Sequence, residues 1–158
     1  MIGCSGEIPN EESEGGIALI ELRYTGGQIS PEFLPKLQIR EGNTALFVKA
    51  AQSKVIALNQ KQIDTLLTKV RQSNFLALDS ESLQKKTLDL IKQQDGPKDL
   101  ILDASAPKIR VWTGDDYHEV TFYAPRHYLR LSGENPDLAL FVEVLDELEK
   151  IAAMFSNN

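Results

Sequence analysis

The sequence lacks the residues on which most recognisable active sites depend. One cysteine cannot form a disulfide within the chain, and two histidines cannot build a histidine-rich metal site. No apolar run approaches the roughly 20 residues that span a bilayer. No G-x-S-x-G elbow or phosphate-binding glycine loop with its lysine is present. We therefore expect no cofactor and no metal, and no catalytic residue can be assigned.

Basic charge is also scarce. The chain has 23 acidic against 17 basic residues and a net charge of −6. The electrostatic field of a chain with this negative charge repels phosphate backbones, so we expect no nucleic-acid partner. The nearest basic cluster is Arg126, His127 and Arg130, which is too small to change this expectation. With Tyr128 it either forms an anion pocket or is the exposed side of an edge segment.

The composition otherwise predicts one globular domain after a flexible arm. The hydrophobic share of 42% and the charged share of 25% are ordinary for a folded protein. Residues 1–16 hold four glutamates, glycines and little apolar surface, which favours a flexible arm. We therefore predict a single domain over residues 17–158.

Alternating apolar residues predict strands at the start of this domain. Ile20, Leu22 and Tyr24 alternate with Glu21 and Arg23. Residues 36–50 predict a hairpin that turns at Glu41-Gly42-Asn43, and the segment KVIAL (54–58) predicts a further short strand.

Helical periodicity follows. Asn59 and Gln62 form a capping-box pattern, which with the spacing of Ile63, Leu66 and Val70 predicts a helix over about 60–73. Residues 80–95 have helical spacing but are polar and show no strong cap. They predict a weak, mostly exposed helix that stops at Gly96-Pro97.

The last third predicts more strands and a closing helix. Residues 99–103 and 108–112 are strand-like, and residues 117–124 return after a turn at 113–116, with His118, Val120 and Phe122 on one face. Residues 126–134 predict a loop or a short edge strand. Asn135 and Pro136 then begin a helix whose apolar stripe should dock on the sheet. The order of elements predicts an α+β fold, a mainly antiparallel sheet with helices packed on one face.

The hairpin and its exit carry the candidate site residues. This predicted contact surface consists of Trp112, Tyr117, His118, Tyr123, Arg126 and His127. Trp112 is either part of an aromatic contact surface or packed beneath a second layer. His118 is either a polar residue beside a turn or a metal or acid–base residue with Asp115, Asp116 or Glu119.

The layout from residue 17 onward resembles an uncharacterised bacterial family of small envelope-associated domains. The resemblance is carried by a strand such as IALIELRYTGG, a hairpin such as PKLQIREGNTALFVKA and a helix that ends at a phenylalanine. An Asp-led hairpin, DASAPKIRVWTGDDYHEVTFYA, and a closing helix, LALFVEVLDELEKI, follow. The resemblance implies a fold and a compartment. It identifies no catalytic residue in this chain, because the family has no established activity.

The segment MIGC resembles the last part of a bacterial lipoprotein signal, in which a small residue precedes the cysteine that receives lipid. Lipid attached at Cys4 would supply more than one acyl chain, enough for stable anchoring. The leading hypothesis is a non-enzymatic domain on the periplasmic face of the cell envelope that touches the membrane only through this anchor. It would bind a protein partner or a small ligand. The alternatives are a small metal-dependent hydrolase centred on His118 and a cytoplasmic interaction module in which Cys4 has no role.

Overall fold

A computed structural model gives the fold of the protein and describes most of the chain after the predicted arm. The described residues are 18–27, 30, 33–71, 74–96, 101 and 104–156. The predicted arm, with Cys4, lies outside them, as does the predicted strand 99–103 except for Ile101, which is not in a strand.

Six strands in this part of the chain form one antiparallel sheet in the order β4-β3-β2-β1-β5-β6. Their bounds are β1 Ala18–Thr25, β2 Lys36–Arg40, β3 Thr44–Lys49, β4 Gln52–Ala57, β5 Ala106–Thr113 and β6 Asp116–Thr121. The hairpin over 36–50 and the strand after it are confirmed. β1 is central because it pairs with β2 on one side and with β5 on the other.

The helices all contribute to one hydrophobic core on the same side of this sheet. Their bounds are α1 Gln60–Arg71, α2 Ser80–Lys92, α3 Pro125–Ser132 and α4 Pro136–Ala153, with a 3₁₀ turn at Asn74–Ala77. The inward residues of the central strands, such as Ile20, Ile39 and Ile109, are fully buried in the same cluster as the helix residues. The predicted α+β fold is therefore confirmed.

The closing helix α4 supplies the largest share of that core. Leu138, Phe141, Leu145 and Leu148 lie on one face with at most 1% exposure, and each large apolar side chain buried in this way stabilises the fold by roughly 1.5–3 kcal/mol. Asn135 accepts a hydrogen bond from the Leu138 amide at 3.3 Å and caps the helix as predicted. None of the described helices is both long enough and apolar enough to cross a membrane.

The capping box of α1 is also confirmed. The Gln62 amide donates to Asn59 Oδ1 at 2.8 Å, and the Asn59 amide donates to Gln62 Oε1 at 3.1 Å. Two backbone donors that the first turn leaves without helical partners are thereby satisfied.

The helix predicted over residues 80–95 is present as α2 and is mostly exposed, as expected, but the expectation that it has no strong cap is wrong. Asp79 caps α2 by accepting a hydrogen bond from the Ser82 amide at 2.8 Å. Leu83, Thr87 and Ile91 are buried, so α2 packs on the core along one narrow stripe. The polar composition of this helix reflects the width of its exposed face, and the narrow buried stripe is enough to hold it in place.

The prediction of a loop or edge strand over residues 126–134 is also wrong, since residues 125–132 form α3. The strand predicted to reach Ala124 ends at Thr121. Ala124 then adopts a left-handed conformation with φ of 43°, which turns the chain, and Pro125 occupies the first helical turn. Proline has a φ already suited to that position, so Pro125 starts a helix here and does not end a strand.

Candidate functional site

The structure places the six residues of the predicted contact surface in three separate locations. Trp112 and Tyr117 are opposite each other on β5 and β6, with ring centroids 6.2 Å apart. Their side chains lie on the face of the sheet away from the helices, because their neighbours along each strand point into the core. Tyr117 is 49% exposed, and Trp112 is partly buried.

Arg110 packs against both of these rings. Its guanidinium lies 4.2 Å from the centroid of Tyr117 and 5.7 Å from that of Trp112, within the range of cation–π attraction. Glu119 holds the same guanidinium through contacts of 2.8 and 2.9 Å. Trp112 is therefore covered in part by a neighbouring arginine on the face of the sheet away from the core.

Glu119 is fixed by this arrangement. Burial acts to raise the pKa of Glu119, but the hydrogen bond from Arg110 and the charge of Lys108 outweigh it, so the pKa lies below its ordinary value. The carboxylate is thus ion-paired with Arg110 and Lys108 on the face of the sheet away from the core.

His118 lies on the opposite face of the same strand. It pairs with the buried Val111 and meets Phe75 edge-on, with ring centroids 6.4 Å apart. Its Nε2 atom is buried and has no hydrogen-bond partner among the described residues. Strand alternation therefore separates His118 from Glu119, and the described part of the chain contains no group of three potential ligands that could hold a metal ion.

The remaining predicted residues lie at the exit of β6. The Tyr123 hydroxyl donates to the carbonyl of Ile101 at 2.8 Å and accepts from the amide of Ala104 at 2.9 Å, so it anchors the segment that leads into β5. His127 packs its ring against Tyr128, with centroids 5.3 Å apart.

Arg126 is held by α4. Its guanidinium contacts the carboxylates of Asp146 and Glu149, each at 2.5 Å. Burial opposes the charge of Arg126, but these hydrogen bonds outweigh it and raise its pKa. Glu149 also accepts a hydrogen bond from the Tyr24 hydroxyl at 2.7 Å. An anion that bound to this segment, as the sequence suggested, would have to displace both carboxylates from Arg126.

A cavity that no sequence pattern predicted lies between α2, the end of β6 and α3. Its volume is about 440 Å³. It is lined by Ser80, Glu81, Gln84, Thr87, Leu88, Ala106, Thr121, Phe122, Tyr123 and Tyr128. We refer to it as the α2–α3 pocket. Of the predicted contact surface, only Tyr123 lines it.

Three aromatic rings form one corner of the α2–α3 pocket. Tyr128 lies 6.3 Å from Phe122 at an interplanar angle of 72°, and 6.4 Å from Tyr123 at 47°. Phe122 is part of the hydrophobic core, and Tyr123 is fixed by its two backbone contacts. Two of the three rings, Phe122 and Tyr123, are therefore held in place by the surrounding structure.

Two polar contacts position the helical wall of the pocket. The Thr121 amide donates to Ser80 Oγ at 3.0 Å, which ties the start of α2 to the edge strand β6. Further along α2, Thr87 Oγ1 accepts from Asn135 Nδ2 at 2.9 Å, and Asn135 also donates to Ser132 Oγ at 3.3 Å. This buried network joins α2, α3 and the start of α4.

Residues 79–82 and 124–129 held local signals for the two helices that enclose the pocket. Asp79 followed by Ser80 and Glu81 is typical of a helix start. Pro125 followed by Tyr128 and Leu129 has the spacing of one helical face. The meeting of the two segments has no local signal, because more than 30 positions of sequence separate Leu88 from Phe122.

Comparison of the chain with protein-family models, with curated proteins and with solved structures found no match.

Proposed function

We propose that the protein is a non-enzymatic binding domain and that the α2–α3 pocket holds a small ligand. The observation that carries this proposal is the aromatic corner of Phe122, Tyr123 and Tyr128, which faces a cavity of about 440 Å³. Small-molecule sites are commonly concave and mostly apolar, with volumes of roughly 300–1,000 Å³ and a few well-placed polar groups. Ser80, Glu81 and Gln84 supply such groups on the helical wall.

The hydrogen bonds around the pocket support a preformed site. Tyr123 cannot rotate away without breaking contacts to Ile101 and Ala104, and Ser80 is bonded to the amide of Thr121. A cavity whose walls are already fixed loses little conformational freedom when a ligand enters, and this favours affinity.

A wider hollow of about 760 Å³ beside the turn between β3 and β4 is a weaker candidate for the ligand site. Its floor is the stacked pair Phe47 and Phe155, with ring centroids 5.0 Å apart, and Lys49 and Lys54 lie on its rim. The two rings pack on each other at 22°, so they present less of their faces to a ligand than the inclined rings of the α2–α3 pocket.

An NMR screen of small aromatic and aliphatic fragments against the ¹⁵N-labelled chain tests the proposal. We expect fragments that bind to shift the amides of Gln84, Thr121 and Tyr128. The variant Leu88→Trp, at a 43% exposed position on the pocket wall, should narrow the cavity and abolish these shifts. The matched control Tyr117→Ala removes an exposed aromatic ring from the opposite side of the sheet and should change nothing.

Shifts confined to Trp112 and Tyr117 would refute the pocket and favour the predicted contact surface on the hairpin instead. Shifts that persist in Leu88→Trp would also refute it.

The predicted envelope location remains part of the proposal. The glycine before Cys4 and the polar residues after it support lipid attachment at this cysteine. Expression from the native gene, with its upstream DNA, in bacteria fed an alkyne-labelled fatty acid should label the wild-type chain and not the variant Cys4→Ala. An unlabelled wild-type chain would refute the anchor and favour the cytoplasmic alternative.

A further inference from the structure

We infer that the α2–α3 pocket selects organic cations, namely ligands that carry an amine or quaternary ammonium group on a small apolar body. This inference rests on the proposed function, because it names the chemistry of the ligand for the same site. Its first support is the charge of the lining. Glu81 is the one acidic residue of the lining, and no lysine, arginine or histidine lines the pocket in the described part of the chain.

Glu81 is available to a ligand. It lies in the exposed first turn of α2 and forms no ion pair with a basic side chain of the described residues. Lys85, one turn further along α2, forms no ion pair with it, Lys86 is bound to Asp137 at 2.8 Å, and Arg126 is bound to α4. Although it is exposed to water, the Glu81 carboxylate attracts a positive charge that enters the pocket beside it.

The aromatic corner adds a second attraction of the same sign. The faces of aromatic rings carry negative partial charge and attract ammonium groups within about 6 Å of the ring centroid. The ring plane of Tyr128 is inclined by 72° to that of Phe122 and by 47° to that of Tyr123. A cation in the corner can therefore meet more than one ring, while its apolar body remains in contact with Leu88 and Ala106.

The start of α2 does not favour the opposite charge. A helix N-terminus attracts anions through its free amides and its dipole. Here Asp79 already accepts from the Ser82 amide, and this hydrogen bond holds the pKa of Asp79 below its ordinary value, so it is ionised at neutral pH. With Glu81 it places two carboxylates in this turn, which repel an anionic ligand.

Three probes of nearly the same shape separate charge from size. Benzyltrimethylammonium carries the cation, neopentylbenzene is its neutral carbon isostere, and phenylmethanesulfonate carries an anion. NMR titration of the full chain, followed at the amides of Gln84, Thr121 and Tyr128, gives the affinity for each. We expect the cation to bind at least roughly tenfold more tightly than the neutral probe, a difference of about 1.4 kcal/mol, and the anion to bind least.

Two variants test whether Glu81 and Tyr128 produce the preference for a cation. Glu81→Gln keeps the shape of the side chain and should reduce the affinity for the cation roughly tenfold while leaving the neutral probe unchanged. Tyr128→Leu keeps apolar contact but removes a ring, and it should also weaken the cation selectively. The control Glu134→Gln removes an exposed carboxylate outside the pocket and should have no effect.

The outcomes distinguish the proposed ligand site from the proposed preference of that site for cations. Equal binding of the cation and its neutral isostere, or tighter binding of the anion, would overturn the cation preference and leave the pocket as a ligand site. Failure of all three probes to shift the pocket amides would overturn the cation inference. If the fragment screen also fails there, the proposed function falls with it.

Discussion

Asn135 caps α4 from inside the protein, and we expect its replacement by alanine to be unusually costly. The side chain is 3% exposed, and it joins the Leu138 amide to Thr87 and Ser132. Loss of an N-cap costs about 1 kcal/mol. Thr87 Oγ1 would in addition be left buried without its hydrogen-bond donor, which costs about 1–3 kcal/mol. Ser132 retains its contact with the carbonyl of Leu129.

The expected loss for Asn135→Ala is therefore roughly 2–4 kcal/mol, or roughly 5–15 °C in Tm for a chain of this length. Asn59 provides the matched control, because it is also an asparagine N-cap but lies exposed at the start of α1. Asn59→Ala should cost only about 1 kcal/mol. Urea unfolding followed by circular dichroism measures both changes in the free energy of unfolding.

A double-mutant cycle locates the difference. Thr87→Val removes the hydroxyl that Asn135 contacts, so in its presence Asn135→Ala should cost about 1 kcal/mol less than in the wild type. If Asn135→Ala costs no more than Asn59→Ala, or if the two changes add without coupling, the buried network does not stabilise the junction of α2, α3 and α4.

Three further predictions concern strain and protonation. Ala50 and Ala51 both have positive φ in the two-residue turn between β3 and β4, so the double change A50N/A51G should raise the free energy of unfolding by about 1–2 kcal/mol; unchanged urea unfolding would contradict it. Burial and a hydrogen bond to a carboxylate raise the pKa of Tyr24 far above its ordinary value, so its contribution to stability is complete below pH 10 and is lost as pH rises further. Tyr24→Phe should flatten this alkaline loss of stability in urea unfolding. Because the folded-state pKa of Glu119 is lowered, its contribution is present above its unfolded pKa and is lost as pH falls through the folded one. Arg110→Gln should raise the pKa of Glu119 in a carboxyl NMR titration, and an unchanged value would refute the role of the ion pair.

Elements with a complete local signal were predictable from the sequence. The Asn59–Gln62 capping box fixed the start of α1, and Asn135-Pro136 fixed the start of α4. Alternation along β1 placed the inward residues Ile20 and Leu22 correctly, because a one-residue shift would expose the whole apolar set.

Elements that depend on distant packing were not predictable in the same way. α2 is polar along most of its length, and its place in the fold comes from three buried residues and a hydrogen bond to β6. The turn between β3 and β4 contains Ala50 and Ala51 in place of the glycine or asparagine that marks such turns, so the pairing of the strands imposes its conformation. The Tyr123 hydroxyl has a structural partner that only the tertiary structure supplies.

The sequence by itself determined the class of fold, the two well-capped helices and the faces of the central strands, because periodicity and caps act over a few neighbouring residues. Only the tertiary structure decided that His118 packs edge-on against Phe75 and that the carboxylates of α4 hold Arg126. It also decided that α2 and α3 enclose a pocket with an aromatic corner and, among the described residues, one carboxylate. That pocket exists because segments far apart in the chain pack together, and the patterns within each segment carry no information about which distant side chains they will meet.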